Sequence, residues 1–326
     1  MTQKELKEKL ENLKKRDKLL RIIRNFFYER DFLEIDAPIL VKAAGMEPHL
    51  DPFAAEGLES GKKYFLPTSP EFYLKRVLAS GATNIFSLCP SFRDEKESKT
   101  HSHQFLMLEW YRANSELKEI AKDCEALLKT VESNFDFEPI KNRNGERISL
   151  SNGIYIFELN NFFKQTTKYS ITELDTEEKW HFLARSFGAD AKSGWTVNDC
   201  FSFLMVSAIE NEISKYDKPV ILNGYPQFQC ALAEERSDGF SDRFELYITS
   251  VEIANAYNEL RGKEKNLKRY IYFQNERKAL GKTPHPQDPQ FFDAVERLPK
   301  SAGIAFGVDR FLSLLLNCPI QDCQNR

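Results

Sequence analysis

Hydrophobic positions open this chain at helical spacing. Leu6, Leu10, Leu13, Leu20, Ile23 and Phe27 recur at steps of roughly three and four, which predicts a helix over about 3–31. FLEIDAPIL then reads as a strand that breaks near Pro38, and KKYFLP at 62–67 as a shorter one. Pro70 falls in the first turn of a helix running through EFYLKRVLAS, where its missing amide costs no intrahelical bond. Apolar and polar residues alternate over 85–93 and 103–112, the pattern of paired strands, and a helix follows over about 115–133. The stretch 136–235 mixes short helical patterns, around 176–187 and 197–214, with strands at 149–157 and 219–223. Strands resume over 243–255, and a helix covers about 261–280. The proline-rich turn TPHPQDPQ leads to a short helix ending near 297, and the strand GIAFG runs into a final helix from Val308. Many strands with flanking helices, without regular βαβ alternation, predict an α+β fold with an antiparallel β-sheet flanked by helices.

Composition narrows this modestly. The 326 residues, 41% hydrophobic and 13% aromatic, suit a globular enzyme, and a net charge of −3 lacks the basic footprint of a non-specific nucleic-acid binder. The six cysteines, Cys89, Cys124, Cys200, Cys230, Cys318 and Cys323, contain no C-x-x-C pair and no Cys/His cluster of zinc-ligand spacing, so they are expected to be buried free thiols. The charged start MTQKELKEKLENLKKRDKLL has no apolar core, which argues against a signal peptide, and no run approaches the ~18 apolar residues of a membrane span. A cytoplasmic location is the expectation. There is no G-x-x-x-x-G-K-[ST] loop, no G-x-G-x-x-G after a strand and no G-x-S-x-G.

The chemistry concentrates in FRDEKESKTHSHQFLMLEWY, Phe92 to Tyr111, and in GIAFGVDR, Gly303 to Arg310. Side chains alternate faces along a strand, so Arg93 and Glu95 share one face, and Phe105, Met107, Glu109 and Tyr111 share one face of the returning strand. Burying that many charges on a sheet requires partners or a ligand. Gly303, Ala305 and Gly307 are small enough for a ligand or backbone to approach closely. Arg310 stands in the first turn of a helix, where the dipole disfavours a cation, so an anionic partner is expected there.

These two segments resemble motifs 2 and 3 of the class II aminoacyl-tRNA synthetases. The resemblance implies a class II synthetase-like catalytic domain covering 1–326, which binds ATP and joins it to an amino-acid carboxylate. It implies that Arg93 binds the α-phosphate, Glu95 accepts from the adenine amine, and Phe105 stacks on the base. The loop Lys96–His103 would close over the triphosphate through Lys99 or His101. Arg310 would hold the γ-phosphate, with Gly307 against the nucleotide. Asp94, Ser102, Glu252 and Ile253 complete the implied ATP-binding set, Ser102 standing where a relative has an Asn. In FELYITSVEIANAYNEL, Glu245 and Glu252 are the implied metal ligands, because Mg²⁺ takes one or two carboxylates together with phosphate oxygens.

Within the class, TSPEFYLKR, MLEWY, EIANAYNEL and SAGIAFGVDR are most similar to lysyl-tRNA synthetase, and above all to its truncated relatives, the elongation factor P lysine ligases. The motif 1-like LLRIIRNFFYERDFLEIDAPIL falls within the first forty residues, so no anticodon-binding domain is expected, and motif 1 implies a homodimer. By position, Ser69, Pro70 and Glu71 would meet the amino and carboxylate end of the substrate, with Glu109 nearby. Glu259 and Tyr111 would bind the distal ammonium, and Asn255 belongs to the same substrate set. The implied activity is ATP-dependent activation of lysine or (R)-β-lysine and transfer to a lysine of elongation factor P. Charging of tRNA or a small acceptor is the alternative, and a silent lysine or nucleotide sensor a third. The sequence departs from the relatives at His101–Phe105, HSHQF in place of HNPEF, and at Arg261-Gly262 after Glu259.

Overall fold

The computed structural model describes residues 3–190 and 194–324. In chain order its elements are α1 (Gln3–Tyr28), β1 (Leu33–Glu34), β2 (Ala54–Glu56), β3 (Lys63–Phe65), α2 (Glu71–Ala79), β4 (Asn84–Phe92), β5 (Gln104–Ala113) and α3 (Leu117–Asn134). Next come β6 (Tyr155–Glu158), α4 (Leu159–Thr167), α5 (Glu177–Ser186), α6 (Val197–Leu204), a π-helical turn (Met205–Ile209), α7 (Glu210–Ile213), β7 (Val220–Pro226), β8 (Phe240–Ile248) and β9 (Val251–Asn258). The chain ends with α8 (Lys263–Ala279), α9 (Pro289–Val295), β10 (Ser301–Gly307) and α10 (Val308–Leu316). It divides into two compact units, one of 1–138 with 256–326 and one of 139–255, and the division falls inside β9.

In the first unit the strand order is β1-β4-β5-β10. β4 and β5 are antiparallel, as are β5 and β10, while the edge strand β1 pairs parallel to β4. Period-two alternation sorts the two faces. Phe86, Leu108, Trp110, Ile304 and Phe306 share the apolar face, where Phe27 of α1 stacks on Phe86 with ring centroids 4.7 Å apart. Trp110 donates its indole N–H to Asp123 of α3, so a buried donor is satisfied while the ring fills the core. The opposite face carries Phe105, Met107, Glu109 and Tyr111. Apart from Ile85 opposite Tyr111, the cross-strand neighbours are small: Ser87, Cys89 and Ser91 on β4, and Gly303, Ala305 and Gly307 on β10. α2 packs over this polar face and is itself backed by α9, through Phe72 stacked on Phe291 at 4.0 Å.

The second unit pairs β7 antiparallel to β8 and parallel to β6. Its core gathers Phe163, Trp180, Phe201, Leu204, Leu222, Tyr225 and Tyr247.

Some expectations need correction. Of FLEIDAPIL only Leu33–Glu34 is strand, and Ile39 and Leu40 are exposed beyond it. The strand expected over 149–157 is confined to Tyr155–Glu158. The expected antiparallel pairing holds at β4/β5, β5/β10 and β7/β8, with parallel pairs added at β1/β4 and β6/β7. Five cysteines are buried, whereas Cys318 is half-buried with its Sγ 3.4 Å from that of Cys323. Among the described residues no helix is long and apolar enough to cross a membrane.

Candidate active site

Two clusters form in the first unit. One surrounds Arg93 and Arg310. Arg93 ends the β4 register, donating its backbone amide to His103 O at 2.9 Å, and its guanidinium lies 5.1 Å from the Phe105 ring centroid. Arg310, in the first turn of α10, donates to Nε2 of His101 at 3.3 Å, while the other ring nitrogen of His101 faces Ser98 Oγ at 3.0 Å and Thr100 Oγ1 at 3.1 Å. A guanidinium only donates, so Nε2 accepts and the proton sits on Nδ1. Burial, reinforced by the charge of Arg310, holds His101 below its ordinary pKa of 6.5, with Glu95 and Arg93 also within reach of the ring. The two arginines, Glu95, Phe105 and His101 are therefore assembled together. Lys99 is exposed, and His103 faces Glu97 and the Phe53 ring, so His101 is the loop side chain beside Arg310.

The start of α10 is fixed by Asp309. Its buried carboxylate accepts from Arg16 at 2.6 Å, from the Leu106 amide at 3.0 Å and from Gln324 at 2.8 Å. Ser102 is buried, and its hydroxyl donates to the Gln324 side chain at 3.0 Å and to Glu97 at 3.4 Å. Asp94 is exposed, its amide bonded to Asp51 O at 2.7 Å, and Gly307 caps α10 opposite Met107 in the register.

The second cluster is a buried group of carboxylates. Ser69 donates to Oε1 of Glu109 and accepts from the Glu71 amide at 3.0 Å, and Tyr111 donates to Oε2 of Glu109 at 2.9 Å. Pro70 caps α2 and starts the helix that brings Glu71 inward. Burial and the charge of Glu71 push the Glu109 carboxyl up to about 8, against the two hydroxyl donors and Lys75. Burial also raises Glu71, a rise moderated by Lys75 and reinforced by Glu47. Tyr111 is held well above its ordinary range, first by burial and then by Glu109, and stays a phenol. Glu259 follows β9, its amide bonded to Ser301 O at 2.9 Å. Lys75, one turn along α2 from Glu71, is completely buried and lies 2.6 Å from Oε1 of Glu71 and 2.6 Å from Oε2 of Glu259. Sequence reasoning assigned Lys75 no role, although the i,i+4 spacing from Glu71 was the available signal.

In the second unit, Glu252 is half-buried near the start of β9, Ile253 is buried, and Asn255 keeps a buried Oδ1 that meets no donor among the described residues. Glu245, the other expected metal ligand, is ringed by donors. Its carboxylate already accepts from Arg243, from Tyr225 at 2.6 Å and from Tyr247. A cation bound at Glu245 would compete with these three donors. No group of three or more His, Cys, Asp or Glu side chains is arranged to hold a metal among the described residues.

A pair of arginines beside an aromatic ring thus lies next to a strand bearing buried acidic groups. The family model of tRNA synthetases class II (D, K and N) matches residues 3–323, and the chain belongs to that family. Its curated relatives include the elongation factor P–(R)-beta-lysine ligases of Haemophilus ducreyi and Histophilus somni. The first is 30% identical over 94% of this chain and 90% of its own length, the second 31% over 94% and 91%. The namesake from Vibrio parahaemolyticus is 31% identical over 95% and 93%.

Proposed function

We propose that this protein is an ATP-dependent ligase that activates lysine or (R)-β-lysine as an adenylate and transfers it to a lysine side chain of elongation factor P. The observation that carries the reading is the buried cluster of Glu71, Glu109 and Glu259 around a single lysine. A family handling aspartate, lysine and asparagine needs different charges at the far end of its pocket. An acidic side chain would meet three acidic groups here, whereas a second ammonium meets partners. A neutral amino acid would leave three buried acidic groups against one lysine, a strong basis for rejection. The names of the relatives agree with this substrate class and this acceptor.

In the first step the substrate carboxylate attacks the α-phosphorus of ATP. Its oxygen forms the new P–O bond, and pyrophosphate leaves with the electrons of the broken one. Arg93 stabilises the charge on the α-phosphate, Arg310 with neutral His101 binds the γ-phosphate, and Phe105 and Glu95 receive the adenine, with Asp94, Ile253 and Gly307 contributing backbone around it. Preorganised charge of this kind needs no covalent enzyme intermediate. Mg²⁺, held through Glu252, would neutralise phosphate charge when bound. Ser69, Glu71 and Glu109 hold the substrate amine, Glu259 and Tyr111 its distal ammonium, and the buried Asn255 Oδ1 supplies a further acceptor. In the second step the unprotonated ε-amine of the acceptor lysine attacks the adenylate carbonyl and expels AMP, leaving an amide.

The exposed Leu33, Ile39 and Leu40 support a homodimer through the motif 1 segment, and the absence of a basic surplus argues against tRNA as the principal partner. A single catalytic domain over 1–326 acting in the cytoplasm is part of the same proposal. The test is ATP–pyrophosphate exchange with lysine, (R)-β-lysine, aspartate, asparagine and norleucine in parallel. Exchange restricted to the diamino acids is expected. Exchange driven by aspartate or asparagine would overturn the reading.

A further inference from the structure

The loop that carries His101 is gripped from outside its own hairpin. The short turn Ile320–Cys323 donates the Ile320 amide to Lys99 O at 3.0 Å. The side-chain amide of Gln321 donates to Ser98 O at 2.8 Å and to His101 O at 3.2 Å. Gln324 donates to Gln104 O at 2.9 Å, where the loop re-enters β5. The turn is itself anchored: Ile320 and Cys323 are buried, and Asp322 O accepts from Asn12 of α1 at 3.2 Å. Nothing in the reaction described above uses Gln321.

Gln321 is the member of this grip that lies nearest the chemistry. Within the loop, Ser98 donates its amide to His101 O at 3.0 Å, which closes a turn over 98–101. The same turn sets the His101 ring, through Ser98 Oγ at 3.0 Å and Thr100 Oγ1 at 3.1 Å on one nitrogen and Arg310 at 3.3 Å on the other. A glutamine amide nitrogen carries two N–H groups, and here they take the carbonyls at the two ends of that turn. Ser98 to His101 are exposed or half-buried, so little apolar burial holds their backbone, and hydrogen bonds have to offset the entropy of ordering it. We infer that Gln321 is a positioning residue for nucleotide binding: it fixes the turn 98–101 by both end carbonyls and so holds His101 against Arg310, where the γ-phosphate is expected.

This inference rests on the ATP-binding reading of Arg93 and Arg310, and not on the identity of the amino acid. Gln321 acts at one remove. It bonds the loop backbone, the loop sets the His101 ring, and the ring accepts from the Arg310 guanidinium. Releasing the turn would loosen the approach of Arg310 to the terminal phosphates. Arg93 and Phe105, placed for the α-phosphate and the base, lie outside the turn: Arg93 follows β4 and Phe105 belongs to β5. The defect caused by losing Gln321 therefore falls on ligands that carry the leaving pyrophosphate group.

The experiment is titration calorimetry of ATP with Mg²⁺, of pyrophosphate with Mg²⁺, and of AMP. The variant is Gln321→Met, which keeps length and removes both donors, made in the unsubstituted protein and in a His101→Ala background. Loss of Gln321 should weaken ATP and pyrophosphate about tenfold, the worth of one hydrogen bond to a charged group, with the Kd for AMP within about twofold. In the His101→Ala background the same substitution should add less than about twofold, because the two residues act in series. Unchanged binding of ATP and pyrophosphate would overturn the inference. So would an equal weakening of AMP, which marks general loosening of the site, or a full tenfold effect that persists without His101. If Gln321→Met shows no cooperative unfolding transition, Gln321→Asn decides. Its amide is one methylene short of spanning both carbonyls, so the same selective loss is expected, and unaltered ATP binding would overturn the assignment. An unsubstituted protein that binds none of the three would sink the ATP reading and this inference with it. ATP binding without diamino-acid-dependent exchange would sink only the proposed amino-acid substrate, and the Gln321 titrations would still decide.

Discussion

The Tyr111 ring lies directly against Gly303 on the neighbouring strand. A β-carbon at Gly303 would fall 2.2 Å from Cε1 and 2.3 Å from Cδ1 of that ring. The small residue therefore makes room for a protein side chain, and Tyr111 in turn directs its hydroxyl to Glu109. Gly303→Ala must push the ring, and with it the Glu259 carboxylate. It should cost about 1–3 kcal/mol of stability, the usual range for overpacking. The KM for the diamino acid should rise by about tenfold, corresponding to 1.4 kcal/mol, with the KM for ATP little changed. Thermal unfolding and pyrophosphate exchange measure both, and an unaltered amino-acid KM would show that Tyr111 does not shape the pocket.

Arg310 and His101 offer a second check. Arg310→Ala should lower the rate of pyrophosphate exchange by roughly 10²–10³, the range for losing a preorganised charge contact in a transition state. Nitrogen NMR of His101 at pH 7.5 should show Nδ1 protonated and Nε2 bare, because burial and Arg310 hold the ring below its ordinary pKa. A doubly protonated ring at pH 7 would contradict the hydrogen bond from Arg310.

Glu109 should reveal itself by proton release. Its carboxyl titrates near 8 in the empty pocket, so it is protonated at pH 7. An arriving ammonium favours the carboxylate and lowers that value, and a proton leaves at any pH between the two. Calorimetry in buffers of different ionisation enthalpy should find proton release on diamino-acid binding at pH 7 that fades by pH 9. Glu109→Gln should abolish this release. Release of equal size in that variant would assign the proton to another group.

Ser102 predicts a small effect. Because its hydroxyl serves Gln324, Ser102→Ala should leave the KM for ATP within about twofold and cost about 1 kcal/mol of stability, the worth of one buried hydrogen bond. A tenfold rise in the KM for ATP would restore the nucleotide contact.

What was legible in the sequence followed from short-range periodicity. The alternation along β4 and β5 located Arg93, Phe105, Glu109 and Tyr111 on the correct face, because a strand's period of two leaves little freedom. The class II family was legible for the same reason, since its motifs are local. Lys75 was not, because its meaning comes from Glu259, far away in the chain. The inward turn of Ser102 likewise depends on Gln324. For Glu245 a local signal of protein partners existed. Arg243, Glu245 and Tyr247 share one face of β8, and an arginine two residues from a carboxylate on a strand can neutralise it. The segment 136–235 resisted because its helices are short and one is interrupted by the π-helical turn at Met205–Ile209.

The central claim is best tested by the product. The protein, ATP and Mg²⁺ are incubated with (R)-β-lysine or lysine, and elongation factor P and bulk tRNA are offered in separate reactions. Intact mass of the factor and acid-precipitable label on the tRNA are then read. The account predicts a gain of one lysine-sized residue on elongation factor P, lost on replacing its acceptor lysine, with tRNA uncharged. Charged tRNA beside an unmodified factor would contradict it and make the protein a minimal tRNA synthetase.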